Sequence, residues 1–299
     1  MFIERNSASG ASQRGKQLLR PRMLFFPPML LTTLSLLALV CVQAEPLRVM
    51  TYNVRFPNPD DTPNRWDQRR ELLVDSIREH SPDIFGTQEL FFEQGEYIVE
   101  KLPEYAWFGI SRRGNRLDEH MGVFYRKSRL RVERSGDFWL SETPEIPGSM
   151  SWKVSLPRMV SWAQFEDRTN RRRFWYFNTH FPHRGEDEAA REQCARVIAA
   201  RLRLLDPSAD ILLTGDFNAP AGGKVYLTLA DILRDAWNAS AERAGPEGTF
   251  HGFTGKPGPA RIDWIMFRGN WKVTRAETVT FERNGRFPSD HFPVLAVLE

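Results

Sequence analysis

The segment ILLTGDFNAP, residues 211–220, decides how the rest of the chain is read. Ile211, Leu212, Leu213 and Thr214 form the short continuous run expected of a strand buried on both faces, and Gly215 and Pro220 punctuate its end. Asp216 and Asn218 then stand two residues apart, so in an extended segment they share one side. On its own, a GDxN sequence also reads as an Asx-turn closing a strand. At the carboxyl end of a strand in an α/β sheet, however, the pair stands where such sheets place their ligands. Partners elsewhere in the chain distinguish the two readings.

Those partners exist. TYN closes on Asn53, GTQE on Glu89, and NTH on Asn178 and His180, with His183 three residues later. RIDWI carries Asp263, and SDHFP carries Asp290 and His291. Each has an ordinary explanation alone: a turn asparagine, a solvated edge glutamate, an Asp-His pair opening a strand. Six such endings, each bordering an apolar run, are more simply one active-site rim.

The segments between them alternate accordingly. Strands are expected in LRVMTYNVR, DIFGTQE, EYAWFGI, GVFYRK, LRVERSGDFWL, VSWAQFE, RRFWYFNTH, ILLTGDFN, RIDWIMF, WKVTRAETV and FPVLAVLE. Helices are expected over residues 67–80, stopped by Ser81-Pro82, and over 91–101, 186–205 and 223–233. Two halves, each with strands and covering helices, predict an α/β (α+β) domain over residues 45–299 in which two sheets pack face to face with helices outside. Cys194 falls on the apolar stripe Ala190, Cys194, Val197, Ile198, Leu202 and Leu205, which places it inside a helix–sheet core and not at a reactive site.

Residues 1–44 read differently. Arg5, Arg14, Lys16, Arg20 and Arg22 precede the apolar stretch MLLTTLSLLALVCV at 29–42, then Gln43 and Ala44. This is the pattern of a secretory signal cleaved after Ala44, and Met23 is a possible start. The alternative is a membrane anchor over residues 23–42, but Pro27 and Pro28 interrupt it and leave less than the ~20 apolar residues of a spanning helix. Removing the leader takes five of the 41 Lys and Arg and one of the 38 Asp and Glu, leaving 36 against 37. The basic pI of 8.9 therefore belongs to the leader and is no argument for a polyanionic partner. Only Cys194 remains in the mature chain, so no internal disulfide is expected.

Carboxylates and amides without a cysteine cluster suit a hard cation, Mg²⁺ or Mn²⁺, better than zinc. Two histidines beside it suit a phosphoryl centre, one holding phosphate oxygens and one working with an acid partner. Metal-assisted hydrolysis of a phosphate ester uses every part of the set.

Taken in order, TYN, TQE, NTH, GDFN, RIDWI and SDHFPV resemble the endonuclease/exonuclease/phosphatase superfamily with its deoxyribonuclease I-like fold, over essentially all of residues 46–299. The resemblance implies a four-layer αββα sandwich. It implies a metal site at Glu89, with Asn53 and Asp290 adjoining. Asp216 would activate or align water, Asn218 would orient it, His180 would stabilise phosphate, and Asp263 would partner His291. FWLSETP and LPRMVSW are similar to an exported bacterial branch whose substrates are not defined. Arg55, His120, Arg158 and His183 are further candidate substrate contacts, although a lone strand histidine or surface arginine is as often structural. His251 and the Trp152 segment are candidate specificity loops. A phosphomonoester, a small phosphodiester, DNA or a phospholipid head group all stay open as substrates. A binding protein that kept the fold and lost the chemistry would show erosion at these positions, and none is eroded.

Overall fold

Alternation along the strands sorts the apolar residues into three layers of core. In a computed structural model that describes residues 45–299, Leu212 faces inward with Val49, Ile84, Tyr176, Ile265 and Val294, forming the core between two sheets. Its neighbour Leu213 points the other way, into a second core with Ile198, Leu202, Phe177 and Trp264. Met50, Tyr52 and Phe85 meet Leu73, Ile77 and Ile98 in a third. The leader expected over residues 1–44 lies outside the described residues. Among those described, no helix is long and apolar enough to cross a membrane.

The chain order is β1 (Leu47–Asn53), α1 (Trp66–His80), β2 (Ile84–Gln88), α2 (Phe92–Lys101), β3 (Tyr105–Phe108), β4 (Val123–Arg126), β5 (Leu130–Trp139), β6 (Met159–Asp167) and β7 (Arg173–His180). It continues through α3 (Glu188–Arg203), β8 (Ile211–Asp216), α4 (Lys224–Ala230), β9 (Arg234–Asp235), α5 (Ala236–Ala239), β10 (Glu242–Ala244), β11 (Asp263–Arg268), β12 (Val273–Thr278) and β13 (Val294–Leu298). One sheet has seven strands in the order β10-β12-β13-β1-β2-β4-β3, and the other six, β5-β6-β7-β8-β11-β9. With α1 and α2 on one outer face and α3 and α4 on the other, this is the expected four-layer sandwich. α1 ends as read, with Ser81 left-handed at its cap and Pro82 following. Cys194 is buried on α3 and unpaired, and burial pushes its thiol up to about 12.

Three short elements, β9, α5 and β10, were not legible beforehand. α5 has four residues, and it forms because the Asp235 side chain accepts from Trp237 N–H at 3.0 Å. Asp235 also pairs with the fully buried Arg261 at 2.5 Å. Neither contact leaves a periodic trace in sequence.

Apolar packing leaves the sheets free to slide, and a buried polar layer fixes them. Asn178 on β7 donates from Nδ2 to the carbonyls of Thr87 (2.8 Å) and Gly122 (3.1 Å). Its Oδ1 accepts from Gln88 Nε2 at 2.7 Å and Thr214 Oγ1 at 3.1 Å, so one amide joins both sheets. The approach is close because Gly86 has no side chain: a Cβ there would lie 2.3 Å from Asn178 Oδ1 and 2.5 Å from Thr214 Oγ1. Asn178 is thus structural, one layer below the rim that its strand-end position foretold.

A second polar device gathers loops. The buried guanidinium of Arg69 on α1 donates to the carbonyls of Val54 (2.7 Å), Arg55 (2.6 Å), Asn64 (3.0 Å) and Pro288 (2.9 Å). It holds the exit of β1 against the segment that carries Asp290.

Gly86→Ala is therefore expected to destabilise the protein by about 1–3 kcal/mol, the cost of overpacking a filled core. Chemical denaturation measures this, and an unchanged midpoint would show that the sheets separate easily.

Candidate active site

Register places the centre of the site. His180 on β7 lies beside Asp216 on β8, and Asp216 opposite Asp263 on β11. Three titratable side chains therefore stand abreast on one edge of the six-stranded sheet. On the facing sheet Asn53 pairs with Gln88, next to Glu89, and Asp290 and His291 lead into β13. The structure brings all of these to one rim.

Asn53 links the sheets there. Its Nδ2 donates to Glu89 Oε1 and to Asp216 Oδ2, at 3.0 Å each, while its Oδ1 accepts from Arg55 N–H at 3.0 Å. It enters the site as a donor that aligns two acids. Asp216 Oδ1 accepts from Asn218 N–H at 2.9 Å, and Oδ2 lies 3.5 Å from His180 Nε2 and 3.8 Å from His291 Nε2. Burial, reinforced by the charge of Asp263, pushes the Asp216 carboxyl up to about 7.

The two histidines carry opposite charge states. Burial, helped by the positive charges of Arg158 and Arg112, holds His180 well below the ordinary histidine value and therefore neutral. Asn218 Nδ2 donates to its Nε2 at 3.1 Å, which assigns the ring proton to Nδ1, on the side of Glu119 Oε2 at 3.8 Å. Burial also opposes charge on His291, but the carboxylates of Asp263, Asp216 and Asp290 together outweigh it and keep the ring protonated. Its Nδ1 donates to Asp263 Oδ2 at 2.9 Å.

The acidic side of the cavity suits a hard divalent cation. Glu89 and Asp290 converge on Arg55, whose Nη1 and Nε lie 3.7 Å from one oxygen of each. The guanidinium spends its direct hydrogen bonds on Asp61 instead, at 2.8 and 2.9 Å. Burial and the nearby Glu89 charge raise Asp290 against the opposing charge of His291. Asp216, Asp263 and His291 also offer ligand atoms within 4.8 Å of one another. A cation on those three would need His291 to give up a ring proton, so Glu89 and Asp290 are the better-fitting pair.

Opposite the acids lies a basic wall. Arg158 is buried, and its Nη2 donates to His183 Nδ1 at 3.1 Å. Glu119 Oε2 accepts from Arg112 Nη1 at 2.7 Å. All four residues line one cavity of about 590 Å³ with His180, Asp216, Asn218 and His291, and Phe56, Phe91, Leu156 and Phe250 stand along its walls. Arg158 is thus no surface arginine, and Arg55 and His183 also line the cavity.

His120 is a correction. Bridges to Leu90 and Ser111 fix its backbone, and its ring packs against Trp107 and Phe92 on the outer side of the sheet. Its Nδ1 meets the Asp118 carbonyl at 2.8 Å. Neighbours in extended backbone face opposite ways, so Glu119, which sequence reasoning passed over, points into the cavity instead. The 118–120 run DEH held that signal only as parity. His251 does not line the cavity either: its ring stacks on Phe292 at 3.9 Å, while the adjacent Phe250 packs edge-on to His291 at 5.1 Å. In the Trp152 segment it is Leu156 that reaches the cavity wall.

Arg55, Glu89 and Asn218 all have left-handed backbone, with φ of 54°, 58° and 47°. Non-glycine residues seldom adopt this conformation, and it concentrates at functional sites.

Two face-to-face sheets with Asn, Glu, Asp and His gathered where their strands end form a phosphoesterase-like fold of the deoxyribonuclease I type. The chain belongs to the Endonuclease/Exonuclease/phosphatase family, whose sequence profile matches residues 50–291. Members of this family are hydrolases of phosphate esters and generally depend on a divalent metal. The structure is similar to that of a mannosyl-6-phosphatase from Bacteroides thetaiotaomicron, with TM-score 0.79 and 34% identity over 85% of this chain and 99% of that one. Another family protein from Bacteroides thetaiotaomicron matches with TM-score 0.80 and 34% identity over 86% and 98%. An uncharacterised protein of Acanthamoeba polyphaga mimivirus is 27% identical over 166 residues, 52% of this chain. The match spans 59% of that curated relative's length.

Asp263→Asn should lower the pKa of His291, because it removes a charge that opposes the cost of burial. NMR titration of the ring C–H resonances reads this directly, and an unmoved His291 would mean that Asp263 does not hold its charge.

Proposed function

We propose that the chain is an exported, Mg²⁺-dependent phosphatase that hydrolyses the phosphate monoester of a small molecule by attack of water. The observation that carries this reading is Asp216, a buried carboxylate within 4 Å of one neutral and one protonated histidine. Mn²⁺ is the alternative ion. Glu89 and Asp290 would hold the cation, which would supply polarisation of the phosphate and a lowered pKa for water. Asn53 keeps Glu89 and Asp216 in register. Asp216, raised toward neutrality, takes the proton of the attacking water, and Asn218 aligns it. Neutral His180 offers its Nδ1–H, which no acceptor among the described residues takes, to a phosphate oxygen. Charged His291 stabilises the charge that develops on the phosphoryl group, with Asp263 holding its orientation.

A monoester fits better than a polymer. The cavity is bounded by Phe56, Phe91, Leu156 and Phe250 and is of small-molecule size, and the mature chain has no basic surplus to hold nucleic acid. One similar structure, at 34% identity over 99% of its own length, is that of a mannosyl-6-phosphatase. The leader over residues 1–44 is the support for export. A deoxyribonuclease or a sphingomyelinase-like enzyme is the runner-up, and a catalytically dead binder is disfavoured by the complete set of side chains.

The deciding experiment is hydrolysis of p-nitrophenyl phosphate, bis-p-nitrophenyl phosphate and plasmid DNA by residues 45–299. EDTA should abolish activity and Mg²⁺ restore it, with the monoester preferred. Asp216→Asn and His291→Ala should each cost about 10²-fold or more in kcat. Near-normal turnover in either variant would refute its assigned role, and DNA cleavage in place of monoester hydrolysis would choose the nuclease.

The acid limb of the kcat/KM profile should lie above the ordinary carboxylate value near 4. The active form needs Asp216 ionised, so activity is lost as pH falls through its raised pKa. A limb at the ordinary value would argue against Asp216 as the base.

A further inference from the structure

The basic wall holds more donors than the protein itself uses. Arg158 is 4% exposed, yet its Nε and Nη1 have no hydrogen-bond partner among the described residues. Leaving such a group unpaired in a buried place is costly, and unmet need of this kind points to a ligand. Arg158 lines the cavity, and its unpartnered nitrogens lie directly beneath that lining.

The chemistry of its neighbours narrows what that ligand is. Arg158 Nη2 donates to His183 Nδ1, so the proton of the neutral His183 ring sits on Nε2, a second donor. Between them stands an acceptor. Glu119 Oε2 faces Arg112 at 2.7 Å and Arg158 at 3.9 Å, and its Oε1 takes no hydrogen bond among the described residues. Arg112 is itself met by Asp118 at 2.9 Å. Asp118 is shared with the exposed Arg113 at 2.6 Å, so within the cavity Arg112 and Arg158 flank the single carboxyl of Glu119. What it presents is a donor, an acceptor and a donor in close sequence. Hydroxyl groups, each able to give and accept, are the chemical class that satisfies such an array. Phe91, Leu156 and Phe250 add apolar surface suited to the C–H face of a ring.

The placement agrees with a leaving group. His180 reaches Glu119 through one ring nitrogen at 3.8 Å and Asp216 through the other at 3.5 Å. The wall is therefore one imidazole away from the carboxylate that faces the water. A cavity of about 590 Å³ exceeds a phosphate and falls in the range of small-molecule sites.

We propose that Arg158, Glu119 and His183 form a leaving-group subsite that reads the hydroxyls of a polyol, a single sugar ring esterified at phosphate. This rests on the phosphatase reading above and adds the residues that select the alcohol. Arg158 and His183 donate to ring hydroxyls, Glu119 accepts from one, and Arg112 holds Glu119 in place.

The test compares kcat/KM for mannose 6-phosphate, its 4-deoxy analogue, butyl phosphate and adenosine 5′-phosphate, in wild type, His183→Phe and Arg158→Gln. His183 is at the surface, so His183→Phe is expected to fold, and thermal melts check both variants. Wild type should prefer the sugar ester over butyl phosphate by about 10²-fold or more, as a site built to bond hydroxyls does. Both variants should shrink that ratio by at least about tenfold, whatever happens to the absolute rate. Equal turnover of sugar and butyl esters, or preference for the nucleotide, would overturn the subsite while leaving the phosphatase reading intact. If no ester is hydrolysed, the phosphatase reading fails, and calorimetry with free mannose still decides the subsite. Binding lost in His183→Phe supports it, and no binding to wild type overturns it.

Discussion

Half of the active-site side chains stand on each of two sheets, so their geometry is only as good as the registration between the sheets. Apolar contact cannot supply it, because burial is rewarded by area and not by direction. Directional bonds can. The Asn178 amide, bonded to Gln88 and Thr214 through its oxygen and to two carbonyls through its nitrogen, sets the sheets against each other from within. Asn53 repeats the operation at the rim, with a carboxylate of each sheet on its two amide hydrogens. Arg69 then fixes the loops above this frame by drawing carbonyls from three segments onto one guanidinium. Each device is polar, buried and satisfied, as a specifying network must be.

On this frame the site separates charge. Carboxylates and their cation-binding edge occupy one side, two paired arginines the other, and Asp216 lies between histidines held in different protonation states. Identical side chains reach opposite states because their neighbours differ: arginines near His180, carboxylates around His291. A reaction that moves a proton while negative charge builds on phosphorus needs both kinds of imidazole at once.

The rim was legible because strand ends interrupt a strong pattern: a polar residue after ILLTG or DIFGT has no packing reason to be there. Family resemblance added roles that spacing alone does not assign. What escaped was whatever depended on parity or on long-range pairing. His120 stood out as a histidine, but one position of alternation turned it outward and turned Glu119 inward. Arg69 and Arg112 looked like two of many arginines, since burial of a cation is decided by which carbonyls and carboxylates meet it. Asn178 shared the strand-end signature of its neighbours and proved to be glue between sheets, one step further from the edge than His180.

The left-handed backbone at Arg55, Glu89 and Asn218 has a bearing on how such a protein can change over generations. Glycine would relieve the strain at each position, by about 1–3 kcal/mol for a residue in a sparsely populated region. At these three positions the relaxed chain would be the one without the side chain that faces the cavity. Selection for robustness and selection for turnover therefore pull in opposite directions on three separate loops. A chain that carries side chains at all three places bears that cost at the rim of its cavity.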